Sequence, residues 1–184
     1  MAKLTFGMMV SLDGYINDRN GNFSWGQIDD DVLQHTTEEG RRSGTEIYGR
    51  RMYETMVYWE THLGGAEYEA EFARIWQGYD KIVVSKSLTQ VSSKRTRIVE
   101  SLSADEVLRL KRDATKDITV SGPTLAASLI AEGLVDEIGI YYVPVAVGGG
   151  TPFFKDLTTL VKFERIEEQS FKNGMNFMRY RLRK

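Results

Sequence analysis

Short runs rich in β-branched residues alternate along this chain with longer segments in which apolar residues recur at helical spacing. The runs typical of strands are Leu4 to Val10, Thr45 to Tyr48, Lys81 to Ser85, Ile118 to Val120 and Asp136 to Val143. The helical segments are Asp29 to Gly40, Arg50 to Val57, Tyr68 to Tyr79, Ser103 to Ala114 and a helix that begins at Pro123. This alternation predicts an α/β fold.

The end of the chain predicts antiparallel pairing. Asn173-Gly174 separates two strand-like segments, Phe163 to Phe171 and Met175 to Leu182, and an Asn-Gly pair in that position is a strong hairpin signal. The basic ending from Arg179 to Lys184 alternates as a strand does. We interpret it as a solvated strand face rather than as a tail that follows phosphates.

Composition narrows the classes of protein that the chain can belong to. With 184 residues and 41% hydrophobic content, residues 1–184 suit a single domain. The net charge of −2 comes from intermixed acidic and basic residues, so we expect neither a nucleic-acid nor a membrane partner. The absence of Cys excludes thiolate chemistry, and His35 and His62 lack metal-ligand spacing, so no metal site is expected. The N-terminus lacks the apolar core of a signal peptide, and we expect a cytoplasmic protein.

One turn leads from a strand into an almost uncharged helix. Ser121-Gly122 ends the strand, Pro123 suits the first helical position, and Gly133 suits the helix stop. Since residues 125–131 carry no charge, most faces of this helix should be covered by protein. Its open N-terminus is either a simple structural cap or a site where free amides hold a phosphate.

Two further strand ends carry groups that suit phosphate. Gly49 is followed by Arg50 and Arg51, and the strand that begins at Lys81 ends in Ser-Lys-Ser. Each pattern alone is typical of a solvated helix start. Together they favour a phosphate ligand, because ligands of open α/β sheets bind at the carboxyl ends of the strands.

Five stretches in this order resemble one known family over nearly the whole chain. They are MMVSLDGYI, YGRRMYE, IVVSKSL, SGPTLAASLIAEGLVDEI and VGGGTPFF. The chain resembles the dihydrofolate reductase-like superfamily, in the branch related to the reductase domain of bacterial riboflavin biosynthesis. The resemblance implies a mixed, mostly parallel sheet flanked by helices, a C-terminal antiparallel hairpin, and NADPH bound across the carboxyl edge of the sheet.

The resemblance also implies which residues surround NADPH. The pyrophosphate and adenosine phosphates would lie against Gly49, Arg50, Arg51 and Met52, with the 2′-phosphate beside Ser85, Lys86 and Ser87. The pyrophosphate and nicotinamide would lie against Ser121, Gly122, Pro123, Thr124 and Leu125. Ile16 would pack near the nicotinamide, and Gly149, Gly150 and Thr151 would support it, although Gly148-Gly149-Gly150 is equally typical of a flexible turn.

On the substrate side the resemblance leaves alternatives open. Asp30 follows Trp25 at the spacing of the acid that binds the pterin in folate reductases, but acids also favour a helix start on electrostatic grounds. Asp13 matches a substrate-side residue of the riboflavin-type reductases, but Asp-Gly is also an ordinary turn pair. Tyr141 stands at a pterin-facing position where a smaller hydroxyl residue is usual, which speaks against folate.

The function predicted from these residues is an NADPH-dependent reductase of a small planar heterocycle or a related carbonyl or imine compound. One alternative is a non-catalytic NADP-binding or regulatory module on the same fold. Another is a reductase whose substrates are neither pterins nor pyrimidines. By resemblance we expect a homodimer with a small-molecule substrate.

Overall fold

The computed structural model describes residues 1–62, 65 and 67–183. Its strands are β1 (Leu4–Ser11), β2 (Tyr15–Asn17), β3 (Ser43–Gly49), β4 (Asp80–Val84), β5 (Thr96–Val99), β6 (Asp117–Ser121), β7 (Glu137–Val143), β8 (Thr151–Pro152), β9 (Phe163–Ser170) and β10 (Asn176–Leu182). Its helices are α1 (Asp30–Arg42), α2 (Arg50–Met56), α3 (Glu67–Gly78), α4 (Ala104–Asp113) and α5 (Pro123–Ala131), with a 3₁₀ turn at Val57–Glu60.

The described residues form a main sheet of eight strands in the order β5-β4-β3-β6-β1-β7-β10-β9. In this order, the first six strands, β5 through β7, run parallel to one another, whereas β10 is antiparallel to both β7 and β9. This is the dihydrofolate reductase-like arrangement, and it confirms the expected mixed sheet with a C-terminal antiparallel pair. Because β1, β3, β4 and β6 are parallel, the segments that follow them emerge at one edge, the carboxyl edge.

Local sequence signals explain where the helices begin and end. Asp29 caps α1 by accepting a hydrogen bond from the amide of Val32 at 3.1 Å. Ser103 and Glu106 form a capping box at the start of α4. The helix α5 begins at Pro123 and stops before Gly133, whose φ of 68° closes the helix.

Alternate residues of the central strands point to two different faces of the sheet. The face covered by α4 and α5, which we call the packed face, carries Leu4, Phe6, Ile118, Val120, Ile138 and Ile140, all buried. Helices α1, α2 and α3 cover the opposite face, which we call the groove face. There Trp76 of α3 donates a hydrogen bond to the hydroxyl of Tyr48 at 2.8 Å.

One part of the C-terminal strand differs from the expectation of a solvated basic face. Arg181 is exposed, but Arg179 is buried on the groove face and pairs with Glu39 of α1 and with Glu167 of β9. Strand alternation alone does not distinguish an outward arginine from one that α1 covers. Within the described ranges, none of the helices combines the length and the apolar character that crossing a membrane requires.

Candidate functional site

The residues that the sequence predicts to bind phosphate lie together at the carboxyl edge. In the parallel register Gly49 lies opposite Val84, and Tyr48 lies opposite Ser121. The residues that follow these strands, Arg50, Ser85 and Gly122, therefore emerge side by side. The edge is formed by three adjacent strand ends, as the sequence predicts for a phosphate ligand.

The turn at Gly122 combines an unusual backbone with an open helix start. Gly122 has a φ of 111°, a conformation that residues with a side chain rarely adopt. A Cβ added to Gly122 would lie 3.8 Å from the Cβ of Met52, an ordinary contact distance. The first hydrogen bond of α5 runs from the amide of Ala126 to the carbonyl of Gly122. The amides of Thr124 and Leu125, which precede it, have no partner within the helix.

Cationic side chains flank this turn on the neighbouring strand ends. Arg50, Arg51 and Lys86 are exposed. Arg50 forms a long and therefore weak ion pair with Glu54, with 3.9 Å between Nε and Oε1. Ser85 is buried, and its hydroxyl accepts hydrogen bonds from the amides of Ser87 and Leu88. These hydrogen bonds shape the turn that presents Lys86 and Ser87 to solvent.

A small second sheet brings together Ile16, Gly150 and Thr151. Strand β2 pairs with β8, and the amide of Thr151 donates to the side-chain oxygen of Asn17 at 2.9 Å. A Cβ on Gly150 would lie 1.9 Å from the carbonyl oxygen of Asn17, so glycine alone fits there. The glycine-rich turn is thus held against the segment that follows β1.

A cavity of about 230 Å³ lies on the groove face. Its floor is formed by small residues of the three central strands, Thr5, Gly7, Thr119, Ser121 and Gly139. Residues of α1 and α3 form its walls. Since Ser121 directly precedes Gly122, this groove lies beside the turn that the family resemblance predicts to contact the nicotinamide.

Glu46 of β3 is buried, and its carboxyl group lines the groove next to the turn at Gly122. One of its oxygens accepts a hydrogen bond from the hydroxyl of Ser121 at 3.1 Å. Burial raises the pKa of Glu46 to about 8, although the hydroxyls of Ser121 and Tyr48 and the charge of Lys81 act in the opposite direction. Burial therefore favours the neutral acid form of Glu46 at pH 7.

The predicted substrate residues Tyr141 and Trp25 have different surroundings. Tyr141 lines the groove, but its hydroxyl is already bound to Nδ1 of His35 at 2.7 Å. Burial lowers the pKa of His35 and raises that of Tyr141, so both groups are neutral at pH 7. Trp25 packs against the apolar cluster that includes Val32 and Tyr141.

The two aspartates predicted as candidate acids lie outside the lining of the groove. Asp30 is exposed in the first turn of α1. The carboxylate of Asp13 accepts hydrogen bonds from the hydroxyl of Ser11 at 2.7 Å and from the amides of Val147 and Gly148 at 3.1 and 2.7 Å. These bonds, that from Ser11 foremost, lower the pKa of Asp13. Asp13 therefore stays ionised at neutral pH and fastens the loop that follows β7.

A second cavity, of about 520 Å³, lies at the opposite edge of the sheet, near the amino ends of β3, β4 and β6. Its charged lining includes Arg41, Arg95 and Asp80. Arg95 pairs with Asp80 at 2.9 Å, and Arg41 pairs with Glu71. None of the residues predicted from the sequence to bind cofactor or substrate lines this cavity, and we place the candidate site at the carboxyl edge and the adjoining groove.

Sequence reasoning missed Glu46. The available signal was a charged residue between Thr45 and Ile47 in a predicted strand of an α/β fold. Parallel strands in the middle of an α/β sheet are covered on both faces, so a carboxyl group inside one is unusual. The sequence did not indicate which residue would form a hydrogen bond with Glu46.

Comparisons with known proteins agree with this fold. The model of the RibD C-terminal domain family matches residues 2–177. The chain is 26% identical over 174 residues to the uncharacterized protein YyaP of Bacillus subtilis (strain 168), covering 94% of this chain and 91% of that protein.

Solved structures show the same fold at low identity. The crystal structure of a putative riboflavin biosynthesis protein from Shewanella sp. PV-4 superposes with a TM-score of 0.74 at 20% identity, covering all of both chains. A diaminohydroxyphosphoribosylaminopyrimidine deaminase/5-amino-6-(5-phosphoribosylamino)uracil reductase from Thermotoga maritima gives 0.68 at 16% identity, covering 99% of this chain and 57% of that one. At these identities the likeness shows the fold alone.

Proposed function

The chain belongs to the RibD C-terminal domain family, a reductase family, and we propose that it is an NADPH-dependent reductase of a small planar heterocycle or a related carbonyl or imine compound. The resemblance in sequence and the geometry of the carboxyl edge support the same assignment. The groove beside Gly122 supports a substrate of one or two rings, because its 230 Å³ lies below the roughly 300–1,000 Å³ of pockets for drug-sized ligands.

The observation that carries the proposal is the set of phosphate-suited groups on adjacent strand ends. Exposed Arg50 and Arg51 stand after β3, exposed Lys86 and Ser87 stand after β4, and the free amides of α5 stand after β6. The positive φ of Gly122 and the open space around its Cα leave room for a ligand to approach the backbone. These residues fit a dinucleotide with three phosphates.

NADPH, when bound, supplies hydride to the substrate. The chain itself contributes binding and orientation. Arg50, Arg51 and Lys86 would neutralise phosphate charge, and the amides of Thr124 and Leu125 would donate hydrogen bonds to phosphate oxygens at the positive end of α5. Ile16, partly buried against the core next to the glycine-rich turn, limits access of water to the reacting end.

The cofactor part of the proposal is tested with Lys86→Ala. We expect NADPH to bind roughly tenfold more weakly, because one charge-assisted contact to the 2′-phosphate is lost, while NADH binding is unchanged. Calorimetry with both cofactors measures this difference. Lys162→Ala, which removes another exposed lysine far along the chain, is the matched control. Equal weakening for both cofactors would remove Lys86 from the 2′-phosphate site.

The reductase part is tested by NADPH oxidation against dihydrofolate, the ribosylaminopyrimidine of riboflavin synthesis and simple carbonyl compounds. Turnover of one class identifies the substrate. Tight binding of NADPH with no turnover of any class would support the non-catalytic module instead. The homodimer and the cytoplasmic location stay predictions, and sedimentation measures the first of them.

A further inference from the structure

A buried carboxyl group, that of Glu46, lies next to the turn against which the proposed function places the nicotinamide. Glu46 is 9% exposed, faces the groove, and is bound to the hydroxyl of Ser121 at 3.1 Å. Ser121 is the last residue of β6 and precedes the Gly122 turn. The two side chains therefore connect the interior of the groove face with the turn at the carboxyl edge.

The other charged groups of the groove also have partners, and among them Asp117 accepts a hydrogen bond from the amide of Lys3 at 2.9 Å. Lys3 pairs with Glu137 at 2.8 Å, and Arg42 pairs with Glu39 at 2.9 Å. Arg179 pairs with Glu39 and, at 2.8 Å, with Glu167. The hydrogen bond from Arg179 lowers the pKa of Glu167, whereas burial raises the pKa of Glu46, whose hydrogen-bond partner is the hydroxyl of Ser121.

We propose that Glu46 is the proton donor of the reduction and delivers its proton through the hydroxyl of Ser121. This inference rests on the proposed function. Hydride addition to the carbon of a C=O or C=N bond leaves an electron pair on the oxygen or nitrogen. In the free protein the hydroxyl of Ser121 donates to Glu46. With substrate bound, it turns to donate to that oxygen or nitrogen, and the protonated carboxyl of Glu46 donates to Ser121 Oγ. The hydroxyl proton of Ser121 then passes to the substrate atom as the proton of Glu46 passes to Ser121 Oγ. Glu46 becomes a carboxylate and takes up a proton from water before the next turnover.

The arrangement also limits the substrate class. The reacting oxygen or nitrogen must lie within hydrogen-bonding distance of Ser121 Oγ, so the acceptor bond must enter the groove beside Gly7, which is exposed on the groove face. The exposed glycine leaves a flat floor next to Ser121. A ring with an unsubstituted edge at its C=O or C=N bond fits this floor, whereas a bulky group on that atom does not.

The first experiment needs no substrate. The side-chain carboxyl of Glu46 is followed by ¹³C NMR from pH 4 to pH 10 in the full chain, with Glu46→Gln to assign the signal. We expect a midpoint near the pKa of about 8. A midpoint near the ordinary value of 4.5 would overturn the proposal, because a group ionised at neutral pH has no proton to deliver.

The second experiment measures turnover with the compound that the wild type reduces fastest in the screen above. Glu46→Gln should lower kcat on the order of 100-fold or more, and NADPH affinity should change by less than about twofold. The wild-type rate should fall above pH 8 as Glu46 ionises, and this fall should be absent from Glu46→Gln. Glu46→Asp should restore part of the rate together with the fall at high pH.

Controls separate this inference from the proposed function. Glu164→Gln removes an exposed carboxylate on β9, outside the groove, and should match the wild type. Ser121→Ala should lower kcat as Glu46→Gln does. Full turnover by Glu46→Gln would overturn the donor and leave the reductase standing. A wild type that binds NADPH and reduces none of the compounds would overturn both.

Discussion

The two faces of the central sheet are built by alternate residues of the same strands, yet they differ in almost every physical respect. On the packed face, Phe6 and Val120 are buried in an apolar cluster beneath α4 and α5. On the groove face, their neighbours Gly7 and Ser121 are small or polar and line a cavity. One residue along each strand thus separates a close-packed core from an open groove.

This difference indicates where the function lies. Central parallel strands are normally covered on both faces and are apolar on both. A sheet that keeps one face apolar and fills the other with Thr, Ser, Gly and Glu loses burial that would stabilise it. The loss is expected at a functional site, where a ligand completes the packing.

The difference between the packed face and the groove face is tested most strongly by Phe6→Ala and Thr5→Ala. Phe6 is 1% exposed and stacks on Phe153 with ring centroids 4.5 Å apart, so its truncation should lower the free energy of unfolding by about 3–5 kcal/mol. Thr5 is half-buried on the groove face, so Thr5→Ala should lower the free energy of unfolding by less than about 1 kcal/mol. Urea unfolding of both variants measures the contrast. Similar losses would mean that the groove face is packed as tightly as its opposite.

The pH dependence of stability isolates the buried acid. The folded-state pKa of Glu46 is about 8 and its ordinary value is 4.5, so the folded protein binds more protons between these values. Stability is therefore fully present below pH 4.5 and falls as the pH rises to about 8, by up to about 1.4 kcal/mol per pH unit.

Glu46→Gln should remove this fall. Urea unfolding from pH 5 to pH 9 should show a wild-type curve that descends relative to that of the variant by on the order of 4 kcal/mol and becomes parallel to it near pH 9, once Glu46 has ionised. The difference between the two curves cancels the contributions of the other groups, including His35, whose lowered pKa acts with the opposite sign. Parallel curves throughout would show that Glu46 ionises normally in the folded protein.

Gly122→Ala tests the turn where the groove face meets the carboxyl edge. At a φ of 111° an alanine should cost roughly 1–3 kcal/mol of stability, and its methyl group should weaken NADPH binding. Pro123→Ala, one residue later, should change stability by a few tenths of a kcal/mol, because proline mainly sets the first helical φ. Thermal unfolding and calorimetric titration give both readouts. Unchanged NADPH binding in a folded Gly122→Ala protein would reduce the turn to a helix cap.

Most elements of the fold were predictable from the sequence, and those that were missed are short. The predicted strand Leu4 to Val10 and the observed β1 differ by one residue, and the hairpin at Asn173-Gly174 joins β9 to β10. Strand β5 was missed because its four residues follow a polar stretch, and its pairing with β4 defines it. Strands β2 and β8, of three and two residues, exist only as partners of each other.

Local sequence patterns were enough to predict where the residues suited to phosphate lie, because each of them follows a strand that its own local pattern specifies. The strand ends at Gly49, Ser85 and Ser121 needed only the rule that parallel strands end at the same edge. Glu46 and Ser121 are 75 residues apart, and Asp13 and Gly148 are 135 apart, so no local pattern contains either contact. The register between β3 and β6 and the gap that α1 and α3 leave above the sheet decide both the hydrogen bond and the burial of Glu46. Burial then sets its charge, because the free energy of an ionised carboxyl depends on the water and partners around it in the folded protein.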